Sequence, residues 1–180
     1  MEIRKTVQTD IPVVMEIIGD AQTYLRSCGV EQWQDGYPTA AVIAEDIEKG
    51  ISYVATENGE IIGTAAISFD GESNYAEIRN GGWQNDEPYA VIHRIAVGNR
   101  HRSRGAASNM MLFAERLCEE RGVGSIRIDT HADNKSMQRL LERLDYKYCG
   151  EITILSSGAP RNAYMKRAGC HAGRESYTTP

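Results

Sequence analysis

Residues 99–108 read NRHRSRGAAS, setting Arg100, Arg102 and Arg104 at alternate positions ahead of the small residues Gly105, Ala106, Ala107 and Ser108. A helical pattern starts at the same place. The first amide hydrogens of a helix lack intrahelical partners and carry partial positive charge, so guanidinium groups beside them repel unless an anion intervenes. Small residues let a ligand oxygen approach those amides. The pattern therefore points to a phosphate site where this loop meets the helix start. The plainer alternative is a solvated loop with loosely held counterions. Two familiar phosphate loops are excluded. GxxxxGK[ST] needs a lysine after its second glycine, and GxGxxG needs three glycines where only Gly105 occurs.

The 180 residues carry 25 acidic and 20 basic side chains, a net charge of −5, so the basic cluster is local. That balance argues against nucleic-acid and anionic-membrane partners, which usually select a basic excess. The length suits one domain. No apolar run approaches the roughly 18 residues of a membrane helix. The first 20 residues, with Glu2, Asp10, Glu16 and Asp20, lack a signal-peptide layout. The expectation is a soluble, cytoplasmic protein. Cys28, Cys118, Cys149 and Cys170 are widely spaced, so neither a disulfide framework nor a metal site is expected.

Several elements must position the arginine-rich loop. Residues 2–7 alternate as a strand, and Thr9 and Asp10 offer a cap before Pro12. Val14, Ile17, Ile18, Ala21, Tyr24 and Leu25 then keep helical spacing up to Gly29. Thr39 and Gly50 bracket a second helix carrying Ile43 and Ile47, after an aromatic loop at 31–38. Strands over 51–56 and 61–69 are joined by the tight-turn pair Asn58 and Gly59. A strand over 75–79, a turn-rich stretch to residue 88 and a strand over 89–97 follow. Ala107, Met110, Met111, Ala114, Leu117 and Cys118 mark a helix from about Arg104 to Arg121. A strand over 125–130 precedes a helix capped by Asn134 and striped by Met137, Leu140, Leu141 and Leu144. Strands over 146–154 and 162–167 close the order. The reading is one α/β (α+β) domain over 1–167, a mixed sheet with helices packed on its faces. Residues 168–180 lack periodicity and read as a tail, mobile or ordered only by a partner.

In that strand-to-helix setting, Arg102, Gly105 and Ala107 resemble the acyl-CoA loop of the GNAT acetyltransferases, Arg/Gln-x-x-Gly-x-Gly/Ala. Residues 91–97 are similar to the family's fourth strand, and Asn134 followed by Met137, Leu140 and Tyr146 to its closing motif. The likeness covers roughly residues 2–167 and is most specific over 91–148. It implies a twisted, mostly antiparallel sheet splayed between its fourth and fifth strands, with acetyl-CoA in the splay. Backbone groups of Ile95, Ala96 and Val97 would then pair with the pantetheine arm. Amides from Arg102 through Ala107 would hold the pyrophosphate. Asn134 would bond the pantetheine amides, or serve only as a helix cap.

The implied reaction is N-acetylation of a primary amine by direct attack in a ternary complex. An amine of pKa about 10.4 is mostly protonated at pH 7, so a base must take its proton. His93, with an unperturbed pKa of about 6.5, stands where a member of the family carries a catalytic histidine. The alternative is a histidine satisfied on the sheet's other face, because alternation sets His93 and Arg94 on opposite faces. An amide near Ile95 would meet the oxyanion. Many members place a tyrosine acid seven positions after the asparagine. Here that position is Leu141, which leaves Tyr146, Tyr148 or solvent. Acceptor contacts are expected from Trp33, Tyr37 and Trp83, unless these fill the core, with Glu77, Asp86 and Glu87 as attracting acids. The expected partner is a small-molecule or peptide amine, and a sheet edge or the Trp33 loop could pair two chains as a homodimer. A catalytically silent CoA-binding regulator and a protein N-terminal acetyltransferase are the other readings.

Overall fold

The computed structural model describes residues 1–168. The expected tail, with Cys170, lies outside the described residues except for Ala168. The elements are β1 (Glu2–Lys5), α1 (Ile11–Ser27), α2 (Ala40–Glu48), β2 (Ser52–Glu57), β3 (Glu60–Ser68), β4 (Tyr89–Val97), α3 (Ala106–Arg121), β5 (Ser125–Thr130), α4 (Lys135–Arg143), β6 (Lys147–Thr153) and β7 (Pro160–Arg167). The strands form one sheet in the order β1-β2-β3-β4-β5-β7-β6. Every neighbouring pair is antiparallel except β4 and β5, which are parallel. A parallel pair needs a crossover, and α3 supplies it. No helix of the described residues is long and apolar enough to cross a membrane.

Helices cover both faces, as the apolar patterns require. Met111, Ala114 and Cys118 of α3 and Leu140 and Leu141 of α4 pack on Tyr53, Ile67, Ala90, Ile92, Ile126 and Ile128. On the other face, Val14 and Ile18 of α1 and Ile43 of α2 cover Val54. Beside them Tyr75, from the long β3–β4 connection, covers Val91, Ile152 and Ala163. The β2–β3 turn uses Asn58 and Gly59 at φ of 51° and 82°, the left-handed pair such a turn demands. Thr39 caps α2 by accepting the Val42 amide.

Two expectations need correction. Residues 75–79 do not form a strand. Ser73–Tyr75 makes a 3-10 turn, and the segment touches the sheet through one bridge, Arg79 to Glu151. Its alternating apolar residues serve as a plug. Tyr75 is buried, Trp83 packs on it, and the Trp83 indole donates to the Tyr75 carbonyl at 3.0 Å. Helix α3 also starts at Ala106, not near Arg104, because Ser103 and Gly105 hold left-handed φ values of 64° and 85°.

The plug is strapped to β6 at Gly81 and Gly82. The Gly82 amide donates to the Cys149 carbonyl at 2.8 Å, and a Cβ on Gly81 would run into that carbonyl. Gly81→Ala must therefore lift the strap. An overpacking loss of about 1–3 kcal/mol is expected in urea denaturation, with the β-sheet signal retained.

Candidate active site

Strands β4 and β5 pair only at Tyr89 with Ser125, Ala90 with Ile126 and Val91 with Arg127. Beyond Val91 they part, and a cleft of about 1090 Å³ opens between residues 92–97 on one wall and Ile128, Asp129 and Thr130 on the other. A bulge redirects β4 just there. His93 faces Ala66 and Ala96 faces Thr64, so Arg94 and Ile95 share one opposing residue, with Arg94 at φ 52°. Arg94 is anchored by Nε and Nη2 donating to Asp46 at 2.7 and 2.8 Å, and by Nη1 donating to the Tyr37 hydroxyl at 2.7 Å. Asp46 is buried deeply enough that desolvation outweighs the guanidinium and raises its carboxyl above the usual range. Simple alternation fails at this bulge. His93 and Arg94 both line the cleft, on the face shared by α2 and the plug.

The arginine-rich loop forms another part of the cleft. Arg102, Ser103, Gly105, Ala106 and Ala107 line it, and Gly105 opens α3 without a side-chain cap, so the first amides of α3 have no capping acceptor. The loop is pinned by the Asn99 amide donating to Asp20 at 2.9 Å and the Gly98 amide to the Ile62 carbonyl at 3.0 Å. Of the three arginines only Arg102 faces the cleft, with its guanidinium 3.3 Å from the Tyr24 ring centroid. Arg104 is exposed outside the lining. Helix α4 contributes Arg139 and Arg143 instead, one turn apart, with Arg143 reaching the Ser108 hydroxyl at 3.4 Å.

Asn134 does cap α4, its Oδ1 accepting the Met137 amide at 3.1 Å. Its Nδ2 donates to Gln32 Oε1 at 3.2 Å, and the same oxygen accepts the His131 amide at 3.3 Å. Gln32 thereby ties the loop carrying Trp33 and Tyr37 across to α4. Both aromatics line the cleft.

On the plug side, His93 Nε2 lies 3.1 Å from Glu72 Oε2, and the Asn74 amide donates to Glu72 at 2.9 Å. The His93 hydrogen bond, more than any other contact, lowers the Glu72 carboxyl to about 2. Asp129 accepts from the Tyr75 hydroxyl at 2.7 Å. Burial raises Asp129 and Tyr75 alike.

Three tyrosine and tryptophan expectations lie elsewhere. Tyr146 is 3% exposed in the core beneath α3 and α4, with no hydrogen-bond partner for its hydroxyl among the described residues. Burial and the nearby Glu115 push that hydroxyl well above its ordinary range, so it is placed neither to reach the cleft nor to release a proton. Tyr148 is exposed on β6 against Tyr164, outside the lining. Trp83 belongs to the plug, under the Arg127 guanidinium at 4.3 Å. Glu77, Asp86 and Glu87 are also absent from the lining. Sequence reading missed Gln32, Glu72, Arg94, Asp129, Arg139, Arg143 and Arg161, all of which line the cleft. Only the Arg139 and Arg143 pair had a local signal, a four-residue spacing on the polar side of a striped helix.

The Glu72 carboxyl falls from 4.5 to about 2 on folding, so its contribution is present above pH 4.5 and is lost as the pH drops through about 2. The gap in melting temperature between the wild type and Glu72→Gln is therefore expected to close as the pH is lowered from 4.5 to 2. Thermal melts across that range read it directly.

The sequence profile of the Acetyltransferase (GNAT) family matches residues 18–146. A GNAT-family acetyltransferase from Streptococcus agalactiae 2603 is 35% identical, with a TM-score of 0.84 over 92% of this chain and 94% of that one. A Salmonella typhimurium protein, solved with its cofactor acetyl-CoA, shares the fold at 15% identity and a TM-score of 0.67, covering 98% of each chain. The ribosomal-protein-S18-alanine N-acetyltransferase of Escherichia coli does so at 16% identity and a TM-score of 0.64, again over 98% of each chain. No curated protein matches the chain. With the profile spanning most of the sequence, and a splayed sheet of the kind the resemblance implied, the chain belongs to the GNAT acetyltransferase family.

Proposed function

We propose that this protein transfers an acetyl group from acetyl-CoA to a primary amine by direct attack. The observation that carries the reading is that the uncapped start of α3 and the His93–Glu72 pair line one cleft, opened where β4 and β5 part. The amides of Ala106 and Ala107, with Arg102, Arg139 and Arg143 around them, suit a diphosphate. Ile95, Ala96 and Val97 supply strand backbone that has no β5 neighbour, suited to an extended amide-bearing chain. Asn134 Nδ2 would exchange Gln32 for such an amide.

His93 takes the proton. Its Nε2 faces Glu72, which leaves Nδ1 as the acceptor, and the carboxylate stabilises the imidazolium that forms. The amine nitrogen bonds to the thioester carbonyl carbon, the carbon–sulfur bond breaks, and the departing thiolate draws its proton from water. Leu141 is fully buried where a tyrosine acid would stand, and Tyr146 lies outside the cleft. A protein that bound CoA and transferred nothing would be the regulator alternative, which a transfer assay decides.

Ala107→Glu places a carboxylate against the diphosphate and is expected to weaken acetyl-CoA binding at least tenfold in calorimetric titration, while Arg104→Ala, outside the lining, leaves it nearly unchanged. Equal affinity of Ala107→Glu and wild type would move the cofactor elsewhere. His93→Ala is expected to lower turnover at pH 7 about a hundredfold with acetyl-CoA binding retained, and turnover equal to wild type would remove His93 from the chemistry.

A further inference from the structure

The wall built from β5 and the start of β7 carries charges that the cofactor does not need. Asp129, on β5, pairs in the sheet with Ala163, two residues beyond Arg161, and both Asp129 and Arg161 line the cleft. Arg161 is half-buried, and the only side-chain hydrogen bond it makes among the described residues is from Nη1 to the carbonyl of its neighbour Pro160, at 2.9 Å. No carboxylate of the described residues comes within 4.0 Å of it.

The other cations of the lining are engaged or distant in role. Arg94 is held by Asp46, His93 faces Glu72, Arg102 lies on Tyr24, and Arg139 and Arg143 belong to α4. His101 faces Glu60. Asp35, also lining the cleft, accepts the Tyr37 amide at 3.2 Å and attracts Arg161 from a distance. Asp129 and Arg161 line the same cleft with no contact within 4.0 Å between them, so a gap separates an acid from a guanidinium. A half-buried guanidinium with no acid in contact loses hydration and gains only the attraction of Asp129 and Asp35 across a distance, so a ligand anion in direct contact supplies a partner that the described residues do not. An acid across a gap from it suits a cationic group on the same ligand.

We propose that the acceptor is an amine that also carries a carboxylate, a free amino acid in its simplest form. Its carboxylate sits on the Arg161 guanidinium, and its ammonium sits by Asp129 within reach of the His93–Glu72 pair. His93 then takes one proton, the neutral nitrogen bonds to the thioester carbonyl carbon as the carbon–sulfur bond breaks, and the second proton of that nitrogen passes through water to the departing thiolate. This assignment rests on the transfer reading above and adds its substrate class.

The test is initial-rate acetylation, with acetyl-CoA, of the free amino acids, β-alanine and 4-aminobutyrate, each beside its carboxamide. A peptide with a free N-terminus completes the panel. At least one acid is expected to exceed its amide in kcat/KM by about tenfold to a hundredfold, the usual worth of a charge-assisted contact. Arg161→Gln is expected to erase that ratio by raising KM for the acid, and Arg161→Lys to restore part of it. Equal use of acids and amides, a ratio that survives Arg161→Gln, or faster acetylation of the peptide overturns the assignment but leaves transfer standing. Transfer to no amine by a protein that still binds acetyl-CoA overturns both. If Arg161→Gln fails to fold, the wild-type ratio of acid to amide decides.

Discussion

Two neighbouring strands that stay together for three residues and then part impose the main constraint on this molecule. Backbone donors and acceptors that leave a ladder must find other partners, because a buried orphan is costly. Beyond Val91 and Arg127 the β4 and β5 edges turn to a cleft instead of to each other. The sheet is thereby cut into a β1–β4 part and a β5–β7 part. The packing of α3 and α4 joins them again, since one apolar cluster contains Ile92 and Ile128 as well as Met111 and Leu140. A buried ion pair, Lys166 of β7 with Glu115 of α3 at 2.7 Å, adds a second tie between the crossover helix and the outer strands.

The cleft sorts charge in a way the net value of −5 conceals. Arg102, Arg139 and Arg143 share it with the amides of α3, while Glu72 and Asp129 gather beside His93 and the plug. Low-dielectric walls strengthen fields of this kind compared with an open surface. The repulsion suggested by three arginines at alternate positions is also smaller than their number implies. Arg104 is exposed away from the cleft, and Arg102 lies over an aromatic ring, while two of the five lining arginines, Arg139 and Arg143, come from α4.

Elements whose pattern depends on near neighbours were legible in the sequence. The Asn58–Gly59 hairpin, the Thr39 and Asn134 caps and the stripes of α1, α3 and α4 are local devices, and the structure bears them out. The start of α3 in the cleft was legible for the same reason. The 70–88 connection was not, because residues 75–79 alternate like a strand yet Tyr75, with Trp83, folds into a plug whose partners lie on β4, β6 and β7. The bulge at Arg94 was hidden too. An arginine in the left-handed region has no local signature, and only Asp46, 48 positions away, explains it. Tyr146 misled for a related reason, since an aromatic that could stand in for Leu141 only by its reach lies in the core, just after a left-handed Asp145.

The Arg94–Asp46 contact, 12% and 6% exposed, carries an implication for sequence drift. Desolvation raises the acid despite its partner, and a buried ion pair of this kind can be exchanged for an apolar couple of matching volume at little cost in stability. A change to either residue alone strands the other's charge in the interior. Homologues should then vary at positions 46 and 94 jointly, and wherever the arginine is missing, Tyr37 loses the donor that holds its ring over the cleft.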